Sequence, residues 1–117
     1  MIQKNITLFL ASGPTIVIPV SQYDDLWQFR FSVRYDGAEW TIPSTATVSI
    51  TGRKANGETF EVPCSRDAST GRWYVDTDSV MTDVPGAAIC EMVIVDGGRR
   101  VGTVNFIIKV EEAPNND

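Results

Sequence analysis

The hydrophobic and polar positions of the chain alternate with a dominant period of two. The clearest stretch is residues 26–36, in which every second residue from Trp27 to Tyr35 is aromatic or aliphatic. On an extended strand these side chains share one face, whereas on a helix they would be spread around the circumference. The same alternation recurs in residues 6–10, 16–20, 47–51 and 103–110. The chain is therefore predicted to consist of half-buried β-strands.

Turn signals separate these strands at regular intervals. Ser12-Gly13-Pro14 follows the first strand, Asp36-Gly37 ends the long third strand, and Ser69-Thr70-Gly71 precedes a short strand through Trp73. Asn56-Gly57 is a strong two-residue hairpin signal, and Asp96-Gly97-Gly98 joins the two final strands, residues 88–95 and 99–110. Seven or eight strands at this spacing predict an all-β fold, an antiparallel β-sandwich of immunoglobulin-like type. Its exposed edges are expected at residues 3–10 and 58–63.

One segment departs from the alternation. Residues 78–84 begin with Asp78, a good helix N-cap, and are followed by Pro85-Gly86, which favours one short helical turn. Residues 111–117 have no apolar period. We therefore expect a single domain over residues 1–112, and a flexible tail or the start of a linker over residues 113–117.

The composition of the chain excludes more classes of function than classes of fold. The chain has 117 residues, 43% of them hydrophobic, which fits one domain with a self-sufficient core. It contains no histidine, which excludes Ser-His-Asp and Cys-His catalysis, histidine-containing zinc sites and a histidine pH switch. Phosphate-binding glycine motifs are absent as well. We expect no enzyme activity and no cofactor.

Charge and hydropathy also argue against two classes of partner. Ten Lys and Arg stand against fifteen Asp and Glu, a formal net charge of −5, and the basic residues are scattered. Nucleic-acid binding needs a concentrated basic patch, so we expect none. No apolar run is long enough to span a bilayer, and no secretory signal precedes the first strand. The protein is expected to be made in the cytoplasm without membrane insertion.

Carboxylates are the remaining candidates for chemistry. Asp24, Asp76 and Asp78 could bind calcium or act as acid and base if they converged. However, Asp24 and its neighbour Asp25 point in opposite directions on an extended chain, and Asp78 already serves as a helix cap. No calcium-loop motif is present. The structural interpretation is favoured, with no metal site.

The tryptophans and cysteines leave alternatives open. Trp27 belongs to an apolar strand face, whereas Trp40 and Trp73 could lie in the core, anchor a protein partner or stack on a sugar; a position in the core is favoured. Cys64 and Cys90 are 26 positions apart, which excludes a CxxC motif. They are either an inter-sheet disulfide or two buried thiols, and without an export signal the thiols are favoured.

A series of motifs stands in the order typical of one family. In chain order they are Asn5-Ile6-Thr7-Leu8, Ser21-Gln22-Tyr23-Asp24, Trp40-Thr41-Ile42-Pro43, Ala46-Thr47-Val48-Ser49-Ile50-Thr51-Gly52, Lys54-Ala55-Asn56-Gly57-Glu58-Thr59-Phe60, Glu91-Met92-Val93-Ile94 and Asn105-Phe106-Ile107-Ile108-Lys109-Val110-Glu111. Over nearly its whole length the chain resembles the N-terminal domain of phage baseplate upper proteins, found in tailed phages of Gram-positive hosts. At Ala55-Asn56 it departs from the Lys-Pro-Asp-Gly-Thr turn usual in the family, although Asn-Gly keeps the turn chemistry.

The resemblance implies a non-enzymatic structural domain of the virion tail or baseplate. Such a domain docks to core tail proteins, forms homo-oligomers in the particle and presents host-binding modules, toward which Glu111 and Glu112 would lead. Candidate partner-contact residues are then Trp40, Trp73, Glu111 and Glu112. The alternative from the residues themselves is a carbohydrate-binding β-sandwich that recognises a host-surface glycan through Trp40 and Trp73.

Overall fold

The computed structural model describes residues 1–114, which form two β-sheets and one helical turn. In chain order the elements are β1 (Ile2–Phe9), β2 (Val17–Ser21), β3 (Trp27–Tyr35), β4 (Ala38–Trp40), β5 (Thr47–Arg53), β6 (Thr59–Pro63), β7 (Ser65–Arg66), β8 (Trp73–Asp76), α1 (Ser79–Thr82), β9 (Gly86–Asp96), β10 (Arg99–Gly102) and β11 (Phe106–Glu111). The predicted tail lies partly outside the described residues, which stop before residue 115.

The two sheets share the strands almost equally. The first sheet has the order β1-β3-β8-β7, and β4 pairs with the C-terminal end of β3. The second sheet has the order β2-β11-β9-β5-β6, and β10 pairs with the C-terminal end of β9. The β-sandwich is therefore confirmed, and so are the two predicted edges, which are β1 and β6.

Two details of the predicted sandwich differ from the structure. The sheets are mixed rather than wholly antiparallel, because β1 runs parallel to β3 and β2 runs parallel to β11. The described residues contain eleven strands rather than seven or eight, because β4, β7 and β10 are short extra pieces. Both parallel pairings arise because the N-terminal segment crosses from the first sheet to the second between β1 and β2.

The core lies between the sheets and is filled by every second side chain. On β3 the inward residues are Phe29, Phe31 and Val33, as the alternation predicts. Phe31 contacts Phe106 of β11 across the sandwich, with ring centroids 6.4 Å apart. Burying a large apolar side chain stabilises the fold by about 1.5–3 kcal/mol, so this shared layer supplies the main attraction between the sheets.

Turn chemistry sets the hairpins. The hairpin predicted between β9 and β10 is confirmed, but its loop has two residues rather than three because Asp96 pairs with Arg99; Gly97 and Gly98 both have positive φ, of 58° and 77°. At the Asn56-Gly57 turn the loop has three residues instead of two, because Lys54 N–H donates to the Glu58 carbonyl and only Gly57 adopts positive φ, at 90°. The hairpin is confirmed and its loop is one residue longer than predicted.

The final strand is interrupted by one side chain. Residues 99–110 were expected to be continuous, but the structure divides them into β10 and β11. Thr103 exchanges hydrogen bonds with Met92, its N–H donating to the Met92 carbonyl at 3.0 Å while its hydroxyl accepts from the Met92 N–H at 3.0 Å. Val104 N–H then donates to the Phe9 carbonyl of β1, which ties the interruption to the first sheet.

The helical turn is confirmed, and Asp78 caps it by accepting from the Val80 N–H at 3.1 Å. Directly after it, Asp83 accepts from the ammonium of Lys54 at 2.9 Å. Lys54 is only 6% exposed, so this carboxylate supplies the charge that burial requires. The pair fixes the crossover between the sheets to the β5–β6 hairpin.

Candidate functional site

Trp40 and Trp73, the two tryptophans proposed as contact residues, line the same cleft. Because β8 pairs with one half of β3 and β4 with the other, a gap opens between them at the middle of β3. The cleft has a volume of about 180 Å³. Its charged lining residues are Glu39, Arg66 and Arg72. The volume is below the roughly 300 Å³ of an ordinary small-molecule pocket, so this cleft fits a side chain of a partner better than a metabolite.

The two indoles in this cleft have different environments. Trp73 is 7% exposed and belongs to the core, and its indole N–H has no hydrogen-bond partner among the described residues. Trp40 is half-buried and packs against the core with part of its ring exposed. Burial of Trp73 argues against a partner contact through its ring. Trp40 is therefore the tryptophan of this pair that keeps an exposed surface.

The sugar-binding alternative needs exposed ring faces on which a sugar can stack. Trp27, the third tryptophan, is also half-buried; its indole N–H donates to the Asp24 carboxylate at 3.1 Å, and Lys4 lies 5.5 Å from the ring centroid. Together with the burial of Trp73, this leaves no pair of open indole faces within residues 1–114. The geometry does not favour a sugar platform.

Next to the cleft, the outer face of the first sheet carries an ordered charge network. The guanidinium of Arg30 donates to the carboxylate of Asp67 at 2.8 Å and lies over the ring of Tyr74. Asp67 also accepts from the N–H and the hydroxyl of Ser69 at 3.0 and 2.8 Å. The hydrogen bond from Arg30, followed by those from Ser69, holds the pKa of Asp67 well below its usual range. This network fixes the β7–β8 loop against β3.

Glu111 and Glu112 lie at the end of β11, and both are exposed. The Glu111 carbonyl accepts from the Gln22 N–H at 2.8 Å, and the Gln22 side chain accepts from the Ala113 N–H at 3.2 Å. The amide of Gln22 also donates to the Asp83 carbonyl. One buried glutamine therefore connects the end of β11 to the helical turn, an arrangement that periodicity along the chain could not reveal.

The carboxylates considered for calcium binding each have a structural partner. Asp24 accepts from the Ser21 N–H and the Trp27 indole, Asp76 accepts from Gln28, and Asp78 caps α1. Within residues 1–114 no cluster of three acidic or thiol side chains is placed to hold a metal ion. Each of these three aspartates therefore has a structural role in the fold.

Both cysteines are free thiols. Cys90 is buried in the core, where burial raises the pKa of its thiol to about 12 against a small lowering by the Ile108 backbone. Burial likewise raises the pKa of Cys64 to about 12. Neither sulfur has the lowered pKa of a reactive thiolate. Cys90 is a buried apolar residue, whereas Cys64 is only half-buried against the core.

An apolar row on the outer face of the second sheet was not singled out from the sequence. Val17, Ile107 and Ile89 are aligned in register across β2, β11 and β9. Val17 and Ile89 are each 51% exposed. The sequence does place an isoleucine at the outward position 107, but the alignment of the row depends on the order of the strands.

The part of the chain that is described has no helix with the length and hydropathy needed to cross a bilayer.

Two mixed sheets around one core, with the N-terminal segment crossing between them, define a β-sandwich domain. A solved structure with this fold is the N-terminal domain of phage TP901-1 ORF48, with a TM-score of 0.74 and 17% identical residues. The match covers 95% of this chain and 99% of that chain. No protein-family model and no curated protein matches the sequence. The resemblance drawn from the sequence is therefore confirmed at the level of the fold, which is shared with the N-terminal domain of a phage protein.

Proposed function

We propose that the chain is a non-enzymatic structural domain of a tailed-phage baseplate or tail tip. The observation that carries this proposal is the match to the N-terminal domain of a phage protein over nearly the full length of both chains. A TM-score of 0.74 over this length means that the two chains share their overall fold. We take the shared fold as support for a similar structural role.

Three features support a scaffold rather than a catalyst. The chain contains no histidine, and the candidate acids Asp24, Asp76 and Asp78 are engaged in capping and strand contacts. The pKa of both thiols is raised. The proposed role is therefore to bind other tail proteins and further copies of itself in the virion tail, and to present a host-binding module. Trp40, Glu111 and Glu112 are the proposed contact residues.

Particles of the phage that encodes the chain provide the test. We expect mass spectrometry of density-purified virions to detect the chain in a fixed ratio to the major tail proteins, whereas a replication protein from the same lysate should be lost on purification. Absence from the virions would contradict the proposal.

Contact residues can be tested on the same material. Trp40→Ala and the double change Glu111→Lys with Glu112→Lys should reduce incorporation into tails. Thr47→Ala, at an exposed position on the outer face of the second sheet, is the matched control and should be incorporated normally. Glycan titration of the isolated protein covers the alternative, and saturable quenching of tryptophan fluorescence that disappears in Trp40→Ala would favour sugar binding.

A further inference from the structure

The free edge of β1 differs from the other long edges of the sandwich. In a parallel pair, alternate residues direct both backbone groups toward the neighbouring strand. Ile2 N–H donates to the Leu26 carbonyl and Leu10 N–H to the Arg34 carbonyl, so the even-numbered residues of β1 face β3. The odd-numbered residues Gln3, Asn5 and Thr7 therefore direct their N–H and C=O groups away from the sheet.

These outward groups are accessible. Gln3, Asn5 and Thr7 are all exposed, and their backbone groups have no partner from another segment within residues 1–114. Only the Phe9 carbonyl, at the end of the strand, is used by the Val104 N–H. An unpaired row of this kind is a template for an added strand.

The second sheet protects both of its long edges. On β2, the Ile107 N–H donates to the Ile16 carbonyl, so the even-numbered residues of this segment face β11 and Pro19 faces outward without a donor. Ser21, the next outward residue, already exchanges hydrogen bonds with Asp24.

On β6, the ladder bonds Lys54 N–H to Glu58 carbonyl and Cys64 N–H to Val48 carbonyl leave Thr59, Glu61 and Pro63 facing outward. Proline at such positions is a known block to strand addition. The other edge strands of the described chain have four residues or fewer. The edge of β1, with eight residues and no proline, is the unprotected one.

We propose that β1 pairs antiparallel with β1 of a second copy of this chain, about a two-fold axis at Asn5. In this register Asn5 faces Asn5 and Gln3 faces Thr7, which gives about six backbone hydrogen bonds between the copies, while the Asn5 side chain keeps its contact with Arg72 of its own copy. The inference deepens the self-association in the proposed function and names its surface.

Charge favours a second copy as the occupant. Lys4 is the sole charged residue of β1, and in this register it faces Ile6 and never another lysine. Symmetric pairing of β6 about its central outward residue would instead place Glu61 opposite Glu61, a destabilising contact. The β1 edge is therefore self-complementary and the β6 edge is not.

Sedimentation equilibrium of the isolated chain, from micromolar to millimolar concentration, tests the interface. We expect a monomer–dimer equilibrium in the wild type. Asn5→Pro removes an outward N–H without touching the ladder to β3, and should raise the dimer dissociation constant at least about tenfold. Glu61→Pro makes the same change on the β6 edge and should leave the dissociation constant unchanged. Circular dichroism of each variant verifies that the fold is kept.

Amide hydrogen exchange gives an independent readout. In the wild type, the amides of Gln3, Asn5 and Thr7 should become protected as concentration rises, while that of Glu61 should not. A monomer at every concentration, or a dimer that Asn5→Pro leaves intact, would overturn the proposal, as would a β1 edge that pairs only with a strand of a different protein. Because these experiments use the isolated chain, their failure would leave the virion test of the proposed function standing.

Discussion

A single carboxylate, that of Asp67, organises the loop that closes one side of the Trp40–Trp73 cleft. Its side chain accepts from Arg30 on β3, and its backbone carbonyl accepts from the Gly71 N–H at 2.7 Å. Gly71 has φ of 73°, which allows the chain to turn back toward Arg72 of the cleft lining. The side chain therefore holds the loop to the sheet through interactions that only the charged form makes fully.

The contribution of Asp67 to the free energy of unfolding changes with pH in a definite direction. Because the pKa of Asp67 is lowered on folding, its contribution to stability is complete above the unfolded pKa of about 3.9 and is lost as pH falls toward the folded value. Asp67→Asn should lower the free energy of unfolding at neutral pH, and the difference from wild type should shrink below about pH 4.

Urea unfolding at a series of pH values measures this difference. Asp25→Asn removes the same charge from an exposed aspartate whose side chain makes no hydrogen bond within the described part of the chain. A difference between wild type and Asp67→Asn that stays constant with pH, or that Asp25→Asn reproduces, would show that the Arg30 pairing does not set the pKa.

At the scale of elements, the structure shows which strands and helices can be predicted from the local sequence. Strict alternation located β1, β3, β5 and β11, and Asp78 with Pro85-Gly86 located α1. The parallel pairings could not be predicted because they depend on which strand a distant segment meets. The division of β10 from β11 follows from one hydroxyl contact between Thr103 and Met92, which alternation along the chain does not record.

The N-cap of α1 gives a prediction at this scale. The helix has four residues, so the hydrogen bond from the Val80 N–H to Asp78 satisfies a large share of its unpaired donors. Asp78→Ala should cost about 1 kcal/mol of unfolding free energy, or roughly 4 °C in melting temperature. Asp76→Ala, which removes one exposed hydrogen bond from Gln28, should stay within about 0.5 kcal/mol. Equal losses in both variants would contradict the capping role.

At the scale of the whole molecule, the two sheets cannot form independent cores. Each sheet presents one apolar face, and these faces bury one another through contacts such as that of Phe31 with Phe106. The sequence predicted this sandwich and two of its long edges, β1 and β6. It could not predict that Trp40 and Trp73 line one cleft, because this arrangement requires β4 and β8 to pair with opposite halves of β3.

A single cooperative unfolding transition follows from the shared core. All three tryptophans, Trp27, Trp40 and Trp73, lie in strands of the first sheet, so their fluorescence reports that sheet, while far-ultraviolet circular dichroism reports both. The two signals should give the same midpoint in urea. A fluorescence transition at lower urea than the circular dichroism transition would show that the first sheet unfolds separately, against a single domain over residues 1–112.

The parallel alignment of β2 and β11 has a mechanical consequence. The two strands belong to opposite ends of the chain and are joined through five consecutive register pairs, from Val17 with Ile107 to Ser21 with Glu111. When the chain is pulled from both ends, parallel neighbours slide along each other, so all the bonds between them bear load at once instead of opening one by one. Tension between the two ends would therefore be resisted by this pair and by the eight register pairs of β1 and β3, which are also parallel, and single-molecule pulling from both ends would measure the rupture force.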